Sequence, residues 1–296
     1  MYLGNSEEKA PHSRITEMYS INHLEFCIGK ERVLESKIAK NDTGPSWDGE
    51  IYMYKNEKHN AIQEGVVRIP VQVKGKFEPE WIKKPNIIYP VRIGDLRNYA
   101  AERGCIYFVI IVSEEEQEYS IFYNMMTPVK INKYLNGKED KTGDKKTSIR
   151  FYRMNHKRRG ELTKILMQYN YEWKKQISRE AKKMEQLPNK SELNCTAIGV
   201  TSVQEFLETY NRGDIGLYTI SADGIEIPVE WDDEAKRNSG KLEQIGNIAM
   251  SVSDNVDESG NYIEKTVKMK NIIISTDSTS DLSPELIEKY GIKVLP

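Results

Sequence analysis

Residues 68–76 read RIPVQVKGK. The alternation of Val71 and Val73 with polar residues predicts a β-strand with one buried face. The same period of two places Gln72 and Lys74 together on the opposite face. A solvated strand carries this pattern for solubility alone, whereas a site that holds a divalent ion and a phosphate needs a polar face of this kind. The rest of the chain has to separate the two interpretations.

The composition is that of a globular protein with balanced charge. The 296 residues include 43 basic and 45 acidic side chains, for a formal net charge of −2, so a nucleic-acid site would have to be local. The cysteines Cys27, Cys105 and Cys195 form no CxxC pair, which argues against a zinc site and predicts a reduced, cytoplasmic protein. The longest apolar run, CIYFVIIV at 105–112, predicts a buried strand and is too short to cross a membrane.

The order of the predicted elements indicates the fold class. A helical period runs from Ile21 to Ala39, strands follow at 48–55 and around 68–76, and a further helix covers 93–104. Two more strands come next, and the whole predicts an α/β or α+β fold in which helices pack on one sheet. Pro70 predicts that its strand is an edge strand or carries a bulge.

Acidic residues precede the Gln-x-Lys strand. Asp48 and Glu50 share one face of the preceding strand, so pairing of the two strands would bring them to Gln72 and Lys74. Carboxylate and amide oxygens are ligands that Mg²⁺ accepts, and a bound metal lowers the pKa of a water. A lysine beside the metal stabilises developing negative charge. Asp48 followed by Gly49 is also compatible with a simple turn.

Glu31 falls within the apolar stripe of the first predicted helix, three residues after Ile28. A carboxylate on a core-facing stripe is costly unless it is paired or bound to a metal. Glu31 is therefore a candidate fourth member of the group, although it could equally extend to solvent.

Together these residues resemble the PD-(D/E)xK nuclease superfamily, and within it domain-of-unknown-function family 4365, over about residues 18–130. The resemblance rests on the predicted helix with its glutamate, on WDGEI and on VQVKGK. It implies a central mixed sheet flanked by helices, and an endonuclease that hydrolyses DNA with Mg²⁺ or Mn²⁺, in restriction or defence. By position, Asp48 would be the main metal ligand with Glu50 beside it, Gln72 would replace the second acidic ligand, and Lys74 would be the catalytic lysine. Gln72 departs from the family pattern because it removes one negative charge from the metal site.

Basic residues provide candidate contacts to DNA phosphates. Lys76 continues the polar face of the strand, and Lys157, Arg158 and Arg159 lie together in HKRRG at 156–160. The second cluster is equally compatible with a solvated start of the long helix predicted from Glu161 to Leu187.

The C-terminal stretch MKNIIISTDSTSDLSPELIEKYGIKVLP at 269–296 resembles the N-terminus of DegV-family fatty-acid-binding proteins. It predicts the beginning of a βαβ unit, in which the hydroxyls of Thr276, Ser278, Thr279 and Ser280 would hold a carboxylate. Twenty-eight residues are too few for a fatty-acid pocket, so we interpret the stretch as a fused or truncated fragment.

The predicted organisation has five parts. They are a polar leader at 1–17, a PD-(D/E)xK-like domain at 18–135, an accessory α+β region at 150–230, a linker at 231–268 and the DegV-like fragment at 269–296. A catalytically silent module that binds nucleic acid or a protein is one alternative function, and a fragment or fusion of a DegV-family fatty-acid-binding protein is the other.

Overall fold

The computed structural model describes residues 9–39, 47–59, 66–113, 118–138, 144–177, 179–183, 186–187, 193–200, 202–230, 249–256, 262–270, 275–277 and 293–295, with side-chain surroundings between residues 15 and 230. The chain divides into two compact units, Met1–Trp173 and Lys174–Pro296.

The first unit is a mixed sheet with helices on both faces. Its helices are α1 (Lys9–Gly29), α2 (Ile93–Ala101) and α3 (Pro128–Leu135), and α4 (Glu161–Gln176) begins in it. Its strands are β1 (Leu34–Ile38), β2 (Gly49–Tyr54), β3 (Val66–Phe77), β4 (Asn86–Arg92), β5 (Cys105–Val112), β6 (Tyr119–Met126) and β7 (Lys146–Arg153). A short 3-10 turn, Pro79–Trp81, follows β3.

The described strands of this unit form a seven-stranded sheet in the order β1-β2-β3-β5-β6-β7-β4. β3 and β5 are parallel, and the other neighbours are antiparallel. A parallel pair needs a crossover, and the segment between β3 and β5 contains β4 and α2. The predicted α/β (α+β) class, with a central mixed sheet flanked by helices, is confirmed.

Both faces of the sheet are buried, as the side chains of β5 illustrate. All eight of its residues are buried, because alternate side chains enter two different cores. Ile106, Phe108 and Ile110 pack with α1 and α4, whereas Cys105, Tyr107, Val109 and Ile111 pack with α2 and α3. A strand covered on both faces reads as a continuous apolar run, as the sequence predicted.

β3 follows the same division. Val71 and Val73 belong to the core under α1, and Gln72 and Lys74 lie on the α2 face. Gly75 is explained by packing, because a Cβ at this position would lie 2.5 Å from Ser20 Oγ of α1. The glycine in VQVKGK therefore allows α1 to cross the sheet closely.

Pro70 does not lie in an edge strand, since β3 has neighbours on both sides. Its pairing partner is Glu50 of β2, and pairing with β5 starts only at Val71. The proline therefore occupies the part of β3 that is open on one side, where a missing N–H can be tolerated.

The helix predicted from Ile21 to Ala39 ends at Gly29, and β1 follows instead. Leu34 and Ile38 are buried as predicted, but as the two ends of a strand paired with β2. A spacing of four residues fits both a helix face and one face of a strand, which is why the pattern misled. At its other end, α1 begins at Lys9, within the segment predicted as a polar leader.

The described elements of the second unit are β8 (Lys182–Lys183), β9 (Leu193–Ile198), α5 (Val203–Asn211), β10 (Leu217–Ile220), β11 (Glu226–Glu230), β12 (Ala249–Val256) and β13 (Tyr262–Lys270). These strands form a six-stranded sheet in the order β12-β13-β9-β10-β11-β8. Phe206 of α5 packs with Cys195, Leu217 and Val229 of the sheet. The long helix predicted to Leu187 ends at Gln176.

Two strands replace part of the predicted linker at 231–268. β12 and β13 form an antiparallel pair, and Met269 of β13 lies opposite Cys195 of β9. The sheet therefore continues past the predicted start of the C-terminal fragment at 269.

The last described strands, β14 (Ser275–Asp277) and β15 (Lys293–Leu295), pair in parallel, which is the pairing of a βαβ unit. Thr276 lies in β14, whereas Ser278, Thr279 and Ser280 fall outside the described residues. The predicted carboxylate contact of these hydroxyls stays a prediction.

Candidate active site

The start of β2 fixes the position of Asp48. Its backbone N–H donates to Val71 O at 3.0 Å, and its carbonyl accepts from Ala39 N at 2.8 Å. The next residue, Gly49, pairs with Ile38 on one side and Val71 on the other, with φ of +153°. A side chain at Gly49 would collide with the backbone of Lys37. Asp48-Gly49 is therefore the entry to a strand and not a simple turn.

The strand register brings Asp48 to Gln72. Asp48 Oδ2 accepts a hydrogen bond from the backbone N–H of Val73 at 2.7 Å and a short one from Gln72 Nε2 at 2.5 Å. Gln72 is only 4% exposed, and its Oε1 accepts a hydrogen bond from the Tyr99 hydroxyl at 3.0 Å. Burial raises the pKa of Tyr99, so the hydroxyl stays protonated and available as a donor.

This chain of hydrogen bonds, from Tyr99 through Gln72 to Asp48, defines which atom Gln72 presents. Its amide nitrogen faces the carboxylate, and its amide oxygen faces Tyr99. For Gln72 to offer oxygen to a metal at Asp48, the amide has to turn by 180°. The Tyr99 hydroxyl could then accept from the amide nitrogen, since a phenol both donates and accepts.

Lys74 and Glu50 lie on the same sheet face as Gln72 by strand alternation. Lys74 is exposed, and among the described residues it has no ion-pair partner. Glu50 is half-buried opposite Pro70 and Lys37. This part of the polar face therefore brings together the carboxylates of Asp48 and Glu50, the amide of Gln72 and the exposed amine of Lys74.

The carboxylates of this face are the groups that would hold a Mg²⁺ ion. Among the described residues, no three His, Cys, Asp or Glu side chains converge as a metal site. Mg²⁺ is commonly bound by one or two carboxylates, with water and substrate phosphate filling the other positions. By that count, Asp48 and Glu50 would be the protein ligands of such an ion.

Glu31 lies on the other face of the sheet. It follows the end of α1, is 8% exposed and accepts hydrogen bonds from Gly160 N at 2.7 Å and from Thr163 Oγ1 at 3.3 Å. Its neighbours Cys27 and Leu162 belong to the core under α1 and α4. The prediction that Glu31 joins Asp48 and Gln72 is corrected: this carboxylate joins the end of α1 to the start of α4.

The predicted phosphate-binding cations are also divided between the two faces. Lys76 lies on the Gln72 face, where it pairs with Glu78 at 3.0 Å. Lys157, Arg158 and Arg159 lie between β7 and α4 and line a cavity together with Glu31. They form a separate cluster.

Tyr99 is the neighbour of Gln72 that the sequence interpretation missed. A tyrosine on the buried stripe of an amphipathic helix indicates a hydroxyl that needs a partner. The identity of that partner, 27 residues away in sequence, depends on the tertiary fold.

Comparisons of the chain with protein-family models, with curated proteins and with solved structures gave no match, and the family resemblances stay predictions. Within the described part of the chain, none of the helices has the length and apolar character needed to span a bilayer.

Proposed function

We propose that the first unit is a Mg²⁺- or Mn²⁺-dependent nuclease of PD-(D/E)xK type that hydrolyses DNA phosphodiesters. The observation that carries this proposal is the placement of Asp48, Gln72 and Lys74 on one sheet face, with Asp48 and Gln72 in contact. Pairing of β2 with β3 creates this juxtaposition from residues 24 positions apart.

The proposed division of labour follows from burial and charge. Asp48, supported by Glu50, would hold the metal, which would supply an activated water and offset phosphate charge. Gln72 is buried and hydrogen-bonded on both sides, so it orients the Asp48 carboxylate. Lys74 is exposed to solvent and would stabilise the negative charge that develops on the phosphate.

A catalytically silent nucleic-acid-binding module is the second candidate. The observation that favours it is the orientation of Gln72, whose amide nitrogen occupies the side of Asp48 where a metal-binding oxygen would be needed. In that case Lys74 and Lys76 would contact phosphates without cleavage.

A cleavage assay on supercoiled plasmid, with the wild-type protein and the Asp48→Asn variant, distinguishes the two candidate functions. Asp48 Oδ2 accepts both hydrogen bonds, so the amide oxygen of asparagine can keep them. We expect at least a 100-fold loss of metal-dependent cleavage, comparable to the loss of one transition-state contact. The free energy of unfolding should change by no more than about 1 kcal/mol.

Asp48→Ala provides the structural control, because it removes the acceptor of the buried Gln72 amide and should cost about 1–3 kcal/mol. Equal cleavage by wild type and Asp48→Asn would contradict the nuclease proposal. Salt-dependent DNA binding without cleavage by the wild type would establish the silent module.

A further inference from the structure

A cavity of about 330 Å³ lies at the end of α1, on the opposite side of the sheet from Asp48 and Gln72. Part of its lining is buried and apolar, formed by Cys27, Met154 and Leu162. The rest of the lining is polar and mostly cationic, and it consists of Lys30, Arg32, Lys157, Arg158 and Arg159 together with Glu31 and His156. The cavity thus combines an apolar floor with a positively charged rim.

The charge of this rim is only partly neutralised. Arg32 pairs with Glu57 at 3.0 Å, and Arg158 pairs with Glu161 at 3.7 Å. Lys157 and Arg159 have no ion-pair partner within the described part of the chain. A ligand carrying negative charge would meet at least two uncommitted cations.

Hydrogen bonds to Glu31 hold the wall of this cavity in place. As the one carboxylate in the lining, Glu31 is buried and accepts hydrogen bonds from Gly160 N and Thr163 Oγ1. These bonds tie the loop that carries Lys157 and Arg159 to the end of α1. The cations are therefore presented from a turn held by a buried group.

His156 adds a polar group that the protein itself leaves unsatisfied. It lines the cavity, and its Nδ1 is buried without a hydrogen-bond partner in the described structure. The ring stacks on Tyr119 with a centroid distance of 4.5 Å. Burial, and after it the charges of Lys157, Arg153 and Lys30, lower the pKa of His156, which reflects the positive field at this position.

We propose that this cavity binds a phosphate monoester of mononucleotide size, either a free nucleotide or the terminal phosphate of a nucleic-acid strand. A monoester carries a charge of about −1.5 to −2 at pH 7, which suits a cluster of cations. Arginine contacts phosphate through two parallel N–H donors, and Arg159 is available for this. A volume of about 330 Å³ is within the range of small-molecule pockets, whereas a double helix could not enter. The apolar floor offers a surface for a base or a sugar.

The proposal goes beyond the nuclease function and does not require it, because the cavity and the Asp48 group lie on opposite sheet faces. Its test is therefore a binding measurement on the full chain in EDTA, where metal-dependent cleavage cannot contribute. The probes are AMP, adenosine, and a short oligonucleotide with either a 5′-phosphate or a 5′-hydroxyl, measured by titration calorimetry.

We expect AMP or the 5′-phosphorylated oligonucleotide to bind, and adenosine and the 5′-hydroxyl strand to bind at least tenfold more weakly. Arg159→Ala should weaken binding about tenfold, which corresponds to the loss of one charge-assisted contact. Glu31→Gln should strengthen it, because the variant keeps an acceptor for Gly160 N and removes the opposing charge. Lys83→Ala serves as the control, since Lys83 is exposed and adjoins Ile82 of the core on the other sheet face.

Preference for AMP would identify a free nucleotide as the ligand, and preference for the phosphorylated strand would identify a chain end. Three results would overturn the proposal: no binding of either phosphorylated probe, equal binding of the phosphorylated and hydroxyl strands, or equal affinity of Arg159→Ala and Lys83→Ala.

Discussion

Replacing Lys74 with alanine is expected to reduce metal-dependent plasmid cleavage at least 100-fold while leaving the fold intact. The lysine is the exposed cation of the Asp48 group, and loss of one contact made in the transition state costs about 10²–10³ in rate. Because an exposed side chain contributes little to folding, the free energy of unfolding should stay within about 0.5 kcal/mol of wild type. Initial cleavage rates and thermal melts of the same preparations measure both quantities.

Lys58→Ala is the matched control for Lys74→Ala. Lys58 is also exposed, but it follows the C-terminal end of β2. That end lies about 20 Å from Asp48 along the strand. Its replacement should leave cleavage within twofold of wild type. If both variants cleave DNA equally well, Lys74 has no special role and the proposed division of labour is wrong.

Gln72→Glu is expected to make the stability of the protein depend on Mg²⁺. The substitution places a second carboxylate beside Asp48 in a position that is 4% exposed. Without metal, two adjacent carboxylates resist ionising together, and the variant should lose about 1–3 kcal/mol of unfolding free energy at pH 7. Mg²⁺ should restore stability, because a ligand that binds only the native state raises the melting temperature.

The pH dependence of the metal-free Gln72→Glu variant follows from the same repulsion. The pKa of the carboxylate pair is expected to rise on folding, so the native state binds more protons than the unfolded state. The stability lost at pH 7 should therefore be regained as pH falls below the raised pKa. Thermal melts at pH 5 and pH 7, with and without Mg²⁺, measure this difference.

Gln168→Glu is the control for a buried charge as such. Gln168 is 2% exposed and donates from Nε2 to Glu172 at 2.9 Å, so the substitution creates a similar pair of carboxylates. Both residues lie inside the packed face of α4, where Mg²⁺ could not keep its waters. The Gln168→Glu variant should be destabilised without rescue by Mg²⁺. Equal rescue of both variants, or of neither, would count against a metal site at Asp48.

The parts of the fold that the sequence predicted are those governed by local periodicity. The apolar run of β5 and the alternation in β3 each identify a strand and its faces, because burial imposes the same spacing on neighbouring residues. The contact between Asp48 and Gln72 follows from the predicted alternation once β2 pairs with β3, because that pairing places both side chains on one sheet face. Pattern and pairing together were enough to bring these residues together.

The parts of the fold that the sequence predicted wrongly depend on contacts between segments that are distant in sequence. Leu34 and Ile38 fit a helix stripe, and only pairing with β2 shows that they belong to a strand. The sequence predicted Glu31 to be a buried carboxylate that joins the metal site. It instead accepts a hydrogen bond from the backbone N–H of Gly160, which is 129 residues away. Most of β13 falls in the predicted linker at 231–268, because polar residues outnumber its alternating apolar ones. Only the pairing of β13 with β9 shows that it is a strand.

Anomalous diffraction from crystals of the wild-type protein soaked in Mn²⁺ tests the proposed metal site directly. We expect a peak about 2.1 Å from a carboxylate oxygen of Asp48, on the sheet face that carries Gln72 and Lys74, and its loss in Asp48→Asn. A map in which Asp48 keeps its hydrogen bonds to Val73 and Gln72 and no Mn²⁺ peak lies beside it would rule out a metal site at Asp48.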